Sequence, residues 1–261
     1  MQNSVDRSMR ALEDRVSDIN NSFTYGYKAK RTTFHDTVRG LQEQHTRDFN
    51  DGTAIKTNRQ LDLALQGPGF FEIEMQDGTT AYTRAGSFSV SPAGQLVSSQ
   101  GYYVVSDNLT YAAKKKFEAE GNSYKPGEKM SFDTGVGSGE IIIPTGAEVH
   151  ISEYGELETS DGKFLGKLSI VAFPNNDGLQ DVGDGVYIAT DLAGDPEPVT
   201  IGILDNQTRL RQGYLEKSNV DIVDQMADMN ALNTHVKSQM KIIKMLDRMQ
   251  EDLNQTITRN I

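Results

Sequence analysis

The residues able to do chemistry in this 261-residue chain are few and scattered. Cysteine is absent, which removes disulfides, thiol nucleophiles and thiolate metal sites. His35, His45, His150 and His235 fall in unrelated segments with no ligand cluster beside them, so no metal site is expected. Gly135-x-Gly137-x-Gly139 has the spacing of a phosphate-cradling loop, but no Lys-Ser/Thr and no helix start follow it. Ile141 to Ile143 continue instead as a strand, and the glycines predict a turn. No Gly-x-Ser-x-Gly elbow is present. Glu153, Glu156 and Glu158 lie on an expected hairpin whose alternation turns them to solvent, whereas a glycan hydrolase needs two carboxylates in one cleft. The chain is therefore expected not to be an enzyme and to carry no cofactor. A β-rich glycan-binding or adhesive module stays open as an alternative, with Tyr102, Tyr103, Tyr111 and Tyr124 as its candidate platform.

The stronger signals are patterns of apolar residues at the two ends. Val5, Met9, Leu12, Val16 and Ile19 are spaced four, three, four and three, and the remaining faces are charged. From Ser218 to Ile261 there is neither proline nor glycine. Met226, Met229, Val236, Met240 and Ile243 form a second seam interrupted by Asn233. After Ile243 the phase slips, and Ile242, Met245, Leu246, Met249, Leu253 and Ile257 widen the stripe. Both ends predict helices. Their seams either close on each other within one chain or pack against other copies, and few heptads on each side favour a larger bundle.

The middle reads as strands. Leu61–Gln66 alternates at period two, Gly67-Pro68-Gly69 breaks it, and Phe71, Ile73 and Met75 alternate with polar neighbours. Asp77-Gly78 predicts a hairpin turn with a return strand over Thr79–Ser91, further strands are expected at 95–97, 146–151, 168–173 and 185–188, and turns at Tyr154-Gly155 and Asp161-Gly162. A partly helical stretch is expected at Phe34–Gln44. The domains so read are 1–57, an N-terminal helix and extended segment; 58–217, a β-rich domain with an insertion near 107–140; and 218–261, a C-terminal helix.

The net charge is −11, concentrated in residues 61–217, which hold 11 basic and 23 acidic groups. A nucleic-acid or anionic-membrane partner is disfavoured. Residues 1–21 are charged throughout without the apolar block of a Sec-type signal peptide, and no run is long enough to span a bilayer.

Three stretches, in order, resemble the bacterial flagellar rod and hook proteins. Ile19, Asn21, Thr24, Gly26, Tyr27 and Lys28 fit the signature that follows their N-terminal helix, with Phe23 departing where Asn is usual. Leu61-Asp62-x-Ala64-x-x-Gly67-x-Gly69-Phe70-Phe71, Tyr82-Thr83-Arg84-x-Gly86-Ser87-Phe88 and Gly94-Gln95-Leu96-Val97 are similar to their β core. Gln212-Gly213-Tyr214-Leu215-Glu216-x-Ser218-Asn219-Val220 resembles the entry to their last helix. The resemblance implies an α+β chain whose terminal coiled-coil helices form an axial core layer around which the β domain sits. It implies a subunit that polymerises with copies of itself and neighbouring rod proteins, transmits torque from motor to hook, and reaches the periplasmic basal body through the flagellar type III export apparatus. The implied assembly residues are Val5, Met9, Leu12, Val16, Ile19, Asn21, Gly26, Met226, Met229, Val236, Met240, Ile243, Leu246, Met249 and Leu253. Met226, Asp228-Met229 and Gln239-Met240-Lys241-x-Ile243 look most like the proximal rod branch; the alternative is a distal-rod or hook-type protein.

Overall fold

The structure, a computed structural model, describes residues 2–37, 40–107, 139, 141–199 and 208–259, and leaves undescribed the side chains of 2–4, 32–45 and 253–259. The insertion expected at 107–140 lies outside the described residues apart from Asp107 and Gly139, and with it most of the Gly135–Gly139 run that it contains.

Two helices frame a β-rich middle, making an α+β chain. Helix α1 (Gln2–Asn20) is followed by β1 (Lys30–Thr37), β2 (Gly40–Arg47), β3 (Ala54–Lys56), β4 (Leu63–Gln66), β5 (Phe70–Glu74), β6 (Thr80–Thr83), β7 (Phe88–Val90), β8 (Leu96–Ser98) and β9 (Tyr103–Val104). Then come β10 (Val149–Ile151), β11 (Glu156–Thr159), β12 (Phe164–Lys167), β13 (Ile170–Ala172), β14 (Leu179–Gly183), β15 (Val186–Ala189), β16 (Glu197–Pro198), β17 (Arg209–Gln212), β18 (Tyr214–Glu216) and helix α2 (Ile222–Arg259). The chain divides into two compact units. One comprises residues 1–23, 28–48 and 219–261; the other comprises 24–27 and 49–218.

The first unit holds both helices and the β1–β2 hairpin. Arg15, near the end of α1, reaches Gln225 and Asp228, near the start of α2, so the two helices run antiparallel. Helix α1 stops because Asn21 and Ser22 take over its last carbonyls: the Asn21 amide donates to Ser17 O at 2.9 Å and the Ser22 hydroxyl to Ile19 O at 2.8 Å. Asn21 itself is not left-handed; Gly26 is, at φ +70°. Asp221 caps α2, accepting from the backbone N–H of Val223 at 2.8 Å and of Asp224 at 3.3 Å. The helix expected at Phe34–Gln44 is replaced by the hairpin. Lys30 pairs with Arg47 and Thr37 with Gly40. The β-branched Thr32, Thr33 and Thr37 favour the extended form, and Gly40 weakens a helix.

The second unit is built on a nine-stranded sheet, in which β14-β15-β6-β5-β9-β8-β7 are ordered neighbours and β13 joins β5 to β16. Strand β5 is covered on both faces. Phe71 and Ile73 enter one core with Leu63, Phe88, Leu96, Val104, Leu157 and Leu168. Phe70, on the opposite face, enters a second with Tyr82, Phe173 and Tyr187, onto which Phe49 packs edge-on at 5.4 Å from Phe70. Strands β10-β11-β12 form a separate sheet whose turns use Gly155 and Gly162 at positive φ, at the Tyr154-Gly155 and Asp161-Gly162 positions expected from sequence. The return strand expected over 79–91 is broken into β6 and β7. Between them Gly86 lies so close to β4 that a Cβ there would sit 1.8 Å from Leu63 O. Strands β3 and β4 find their partners at the far end of the unit: β3 pairs with β18 and β4 with β17.

Candidate functional site

In the helical unit, a row of half-buried residues on α2, Ile222, Gln225, Met229, Leu232, Val236, Gln239 and Ile243, advances in steps of three and four. It lies on the side where Gln225 accepts from Arg15 at 3.0 Å. On α1 the buried or half-buried positions are Val5, Arg7, Ser8, Ala11, Leu12, Asp14, Arg15, Ser17, Asp18 and Ile19. Met9 and Val16 of the expected α1 seam stay exposed, and so do Met226, Met240, Leu246 and Met249 of α2. Ile242 and Met245 extend the exposed stripe, Met245 being 59% accessible. The side chain of Leu253 lies outside the described ones. The seam expected from the sequence thus splits into an inner row, which the two helices share, and apolar positions that neither covers: Met226 and Met240 on the flank of the inner row, Leu246 one step of three beyond its end, and Ile242, Met245 and Met249 on the opposite side of α2. With 38 residues against 19, α2 rises about 57 Å and α1 about 28 Å, so roughly half of α2 has no α1 beside it.

Polar clamps fix this helical unit. Asp18 is fully buried and its two oxygens accept from the Lys30 N–H at 3.0 and 3.3 Å, with Arg15 3.5 Å away. Arg15 also donates to Lys30 O, so one guanidinium serves β1 and α2 together. Asn219 spans the hairpin's base: its Oδ1 accepts from Ala29 N at 2.8 Å and its Nδ2 donates to Asp48 O at 2.6 Å. The Ser-Asn-Val element that precedes the last helix therefore has a positional task.

The β-rich unit has its own clamp. Arg84, 2% exposed, donates to Asp51 Oδ1 at 2.8 Å and Gly67 O at 2.9 Å, lies over the Phe70 ring, and faces Glu216, 1% exposed, at 3.8 Å. Glu216 in turn accepts from Gly52 N at its side chain and from Gly26 N at its carbonyl, each at 2.8 Å. A Cβ on Gly26 would meet Ala85 N at 2.5 Å, so glycine is required both by φ and by this close approach. Gly26, expected at an assembly surface, is thus seated inside the chain's own fold. Next to it, the Gln212 side chain acts as a substitute strand for the edge of β10. Its Nε2 donates to Val149 O at 2.8 Å and to Gln60 O at 2.9 Å, and its Oε1 accepts from Ile151 N at 3.2 Å. Gln212→Leu is expected to destabilise the β-rich unit by about 1–3 kcal/mol and to speed amide exchange at Ile151. Unchanged exchange at that amide would contradict the assignment.

Sequence reasoning found the apolar stripes and missed Asp18, Asp51, Arg84 and Glu216. The missed signal was available at Arg84, the one Lys or Arg between Arg59 and Lys114.

Among the described residues no three His, Asp or Glu stand together to hold a metal, and no helix is long and apolar enough to cross a membrane. Ser169 donates to Glu72 Oε2, with no histidine adjoining the pair. Burial and, after it, the Glu72 carboxylate push the Tyr82 hydroxyl above its ordinary pKa, which makes it a poorer acid. Tyr102 packs on the core and Tyr103 is half-buried, so these two build no open aromatic platform; Tyr111 and Tyr124 lie outside the described residues.

Residues 64–159 match the family described as "Flagellar hook protein FlgE/F/G D1 domain" and residues 211–256 that described as "Flagellar basal body rod FlgEFG protein C-terminal". Flagellar basal-body rod protein FlgG of Bacillus subtilis strain 168 is 30% identical over 262 residues, covering 91% of this chain and 89% of the relative. FlgG of Buchnera aphidicola subsp. Baizongia pistaciae is 30% identical over 272 residues, covering 95% and 93%. Flagellar basal-body rod protein FlgF of Salmonella typhimurium strain LT2 is 28% identical over 218 residues, covering 81% and 74%.

Proposed function

Because this chain belongs to the flagellar basal-body rod proteins, we propose that its terminal helices polymerise side by side with those of other copies and of neighbouring rod proteins, forming the axial core of the rod. The observation that carries this reading is the set of apolar side chains that the antiparallel pair leaves exposed: Met9 and Val16 on α1, Met226, Met240 and Leu246 along the inner row of α2, and the stripe Ile242, Met245 and Met249 on its opposite side. An exposed stripe of this length on a soluble chain marks a contact surface, and its helical spacing suits another helix. The inner row, with Arg15 bridging Gln225 and Asp228, fixes the register of the pair, so each subunit offers a preset face. Packed stripes of this kind resist shear between subunits, which is what carrying torque from motor to hook requires. The β-rich unit forms the outer layer. The chain reaches the periplasmic rod through the flagellar type III export apparatus, and its reading as a structural subunit leaves no role for catalysis.

Amide hydrogen exchange on the full chain, dilute and after sedimentation of polymer, tests the assignment. Protection of α2 from Met240 to Met249 is expected to rise on polymerisation, with β5 and β6 unchanged. Polymer in which those α2 amides exchange as fast as in the monomer would overturn it.

A further inference from the structure

The β-rich unit carries a groove of about 400 Å³ that nothing above employs. One wall is the segment Lys56–Gln60, the other is Glu148–His150 with Ser160, and the floor is Gln212 and Gly213. The floor is rigid and its hydrogen bonds are made internally. The Gln212 amide is used at both ends, and Gly213 O accepts from Thr57 N at 2.8 Å and Asn58 N at 3.2 Å. The rim differs: the side chains of Lys56, Asn58, Gln60, Glu148, His150 and Ser160 are exposed and make no hydrogen bond or ion pair among the described residues. Asn58 holds φ at +61°, one of two non-glycine residues with positive φ among the described residues, and backbone strain of this kind gathers at binding sites.

This rim fits an extended peptide bearing carboxylates. Asn58 and Gln60 each offer an amide donor and acceptor to a peptide backbone. Lys56 supplies a free cation, while Arg59 beside it is held by Asp62 at 3.3 Å. Glu148 on the facing wall directs a carboxylate to the lysine side. No Phe, Tyr or Trp lines the groove.

The chain itself contains such a peptide. Between Phe173 and Arg209 it has seven carboxylates and no Lys, Arg or His. Strand β14 of this stretch is the end strand of the nine-stranded sheet, and Gln180–Asp184 is exposed, with Val182 45% accessible and Asp184 at φ +53° in the hairpin tip. No residue of that hairpin lines the groove of its own chain. We infer that the Lys56–His150 groove of one copy receives the acidic β14–β15 edge of a second copy. Groove and edge are different surfaces, so the contact is head-to-tail and repeats along a polymer. This goes beyond the helix packing proposed above, involving the β-rich units alone.

The test titrates the full-length chain with a synthetic peptide of Gln180–Ile188 and with a scrambled peptide of the same composition. Saturable binding of the native peptide is expected, weakened about tenfold or more by Lys56→Glu. A peptide carrying D181K and D184K is expected to lose binding to the natural chain and regain it on the Lys56→Glu chain. Absence of saturable binding, equal binding of the scrambled peptide, or indifference to Lys56→Glu would each overturn the proposal. The peptide holds no part of α1 or α2, so these outcomes leave the helix reading untouched.

Discussion

Arg84→Ala is expected to lower the unfolding free energy of the β-rich unit by about 3–5 kcal/mol, the usual penalty for removing one partner of a buried ion pair. The loss has three parts. The hydrogen bonds to Asp51 and Gly67 O disappear, Glu216 is left as a buried carboxylate without its cation, and the space above Phe70 empties. Asp51 is still able to turn to solvent; Glu216, its side chain 1% exposed, is not. Pairing Arg84→Met with Glu216→Gln is therefore expected to recover much of the stability. The glutamine Oε1 keeps the bond from Gly52 N, and the methionine refills the volume. Denaturant unfolding read by near-ultraviolet circular dichroism of the tyrosines measures both variants. A loss below about 1 kcal/mol for Arg84→Ala, which is the scale of a surface ion pair, would contradict the clamp.

Met240→Glu with Met245→Glu is expected to abolish polymerisation while leaving the monomer folded. Both side chains are exposed in the single chain, so the monomer should change by no more than about 0.5 kcal/mol per site. In the proposed polymer each methionine, 40% and 59% accessible in the single chain, loses that exposure against another helix, a gain of about 1 kcal/mol apiece, and a charge there is worse than a truncation. Those gains alone, about 2 kcal/mol summed, raise the critical concentration more than tenfold, and the buried charges raise it further. Sedimentation of the variant against the natural chain reads this directly. Polymer formed at an unchanged concentration would remove α2 from the interface.

The sequence announced its helices well and their faces less well. Heptad spacing located both helices, because a stripe every three or four residues is all that helix–helix packing demands. It also placed Met9 and Val16 in the seam, whereas the covered face of α1 is completed by Ala11, Arg15 and Asp18. Those three are small or charged, and no apolar pattern selects them. They are covered because Asp18 answers the N–H of Lys30 and Arg15 answers β1 and α2, and such needs exist only once distant segments meet. The β1–β2 hairpin was hidden for a related reason. Its polar, weakly patterned sequence supports helix and strand about equally, and tertiary context decided between them. The turns at Asp77-Gly78, Tyr154-Gly155 and Asp161-Gly162 were legible because their geometry is set locally, by the glycine alone.

The partners chosen by β3 and β4 have a kinetic consequence. Ala54 is registered to Glu216 and Leu63 to Gln212, and Glu216 also gathers Gly26, Gly52 and Arg84. These are among the longest loops that a unit of this size can close, and loop closure of this kind slows the search for the native state. Whichever end of the chain is delivered first waits with its strand edges open, because the other end holds the closing strands. Folding is thereby postponed until the whole segment from Gly26 to Glu216 is free in one place.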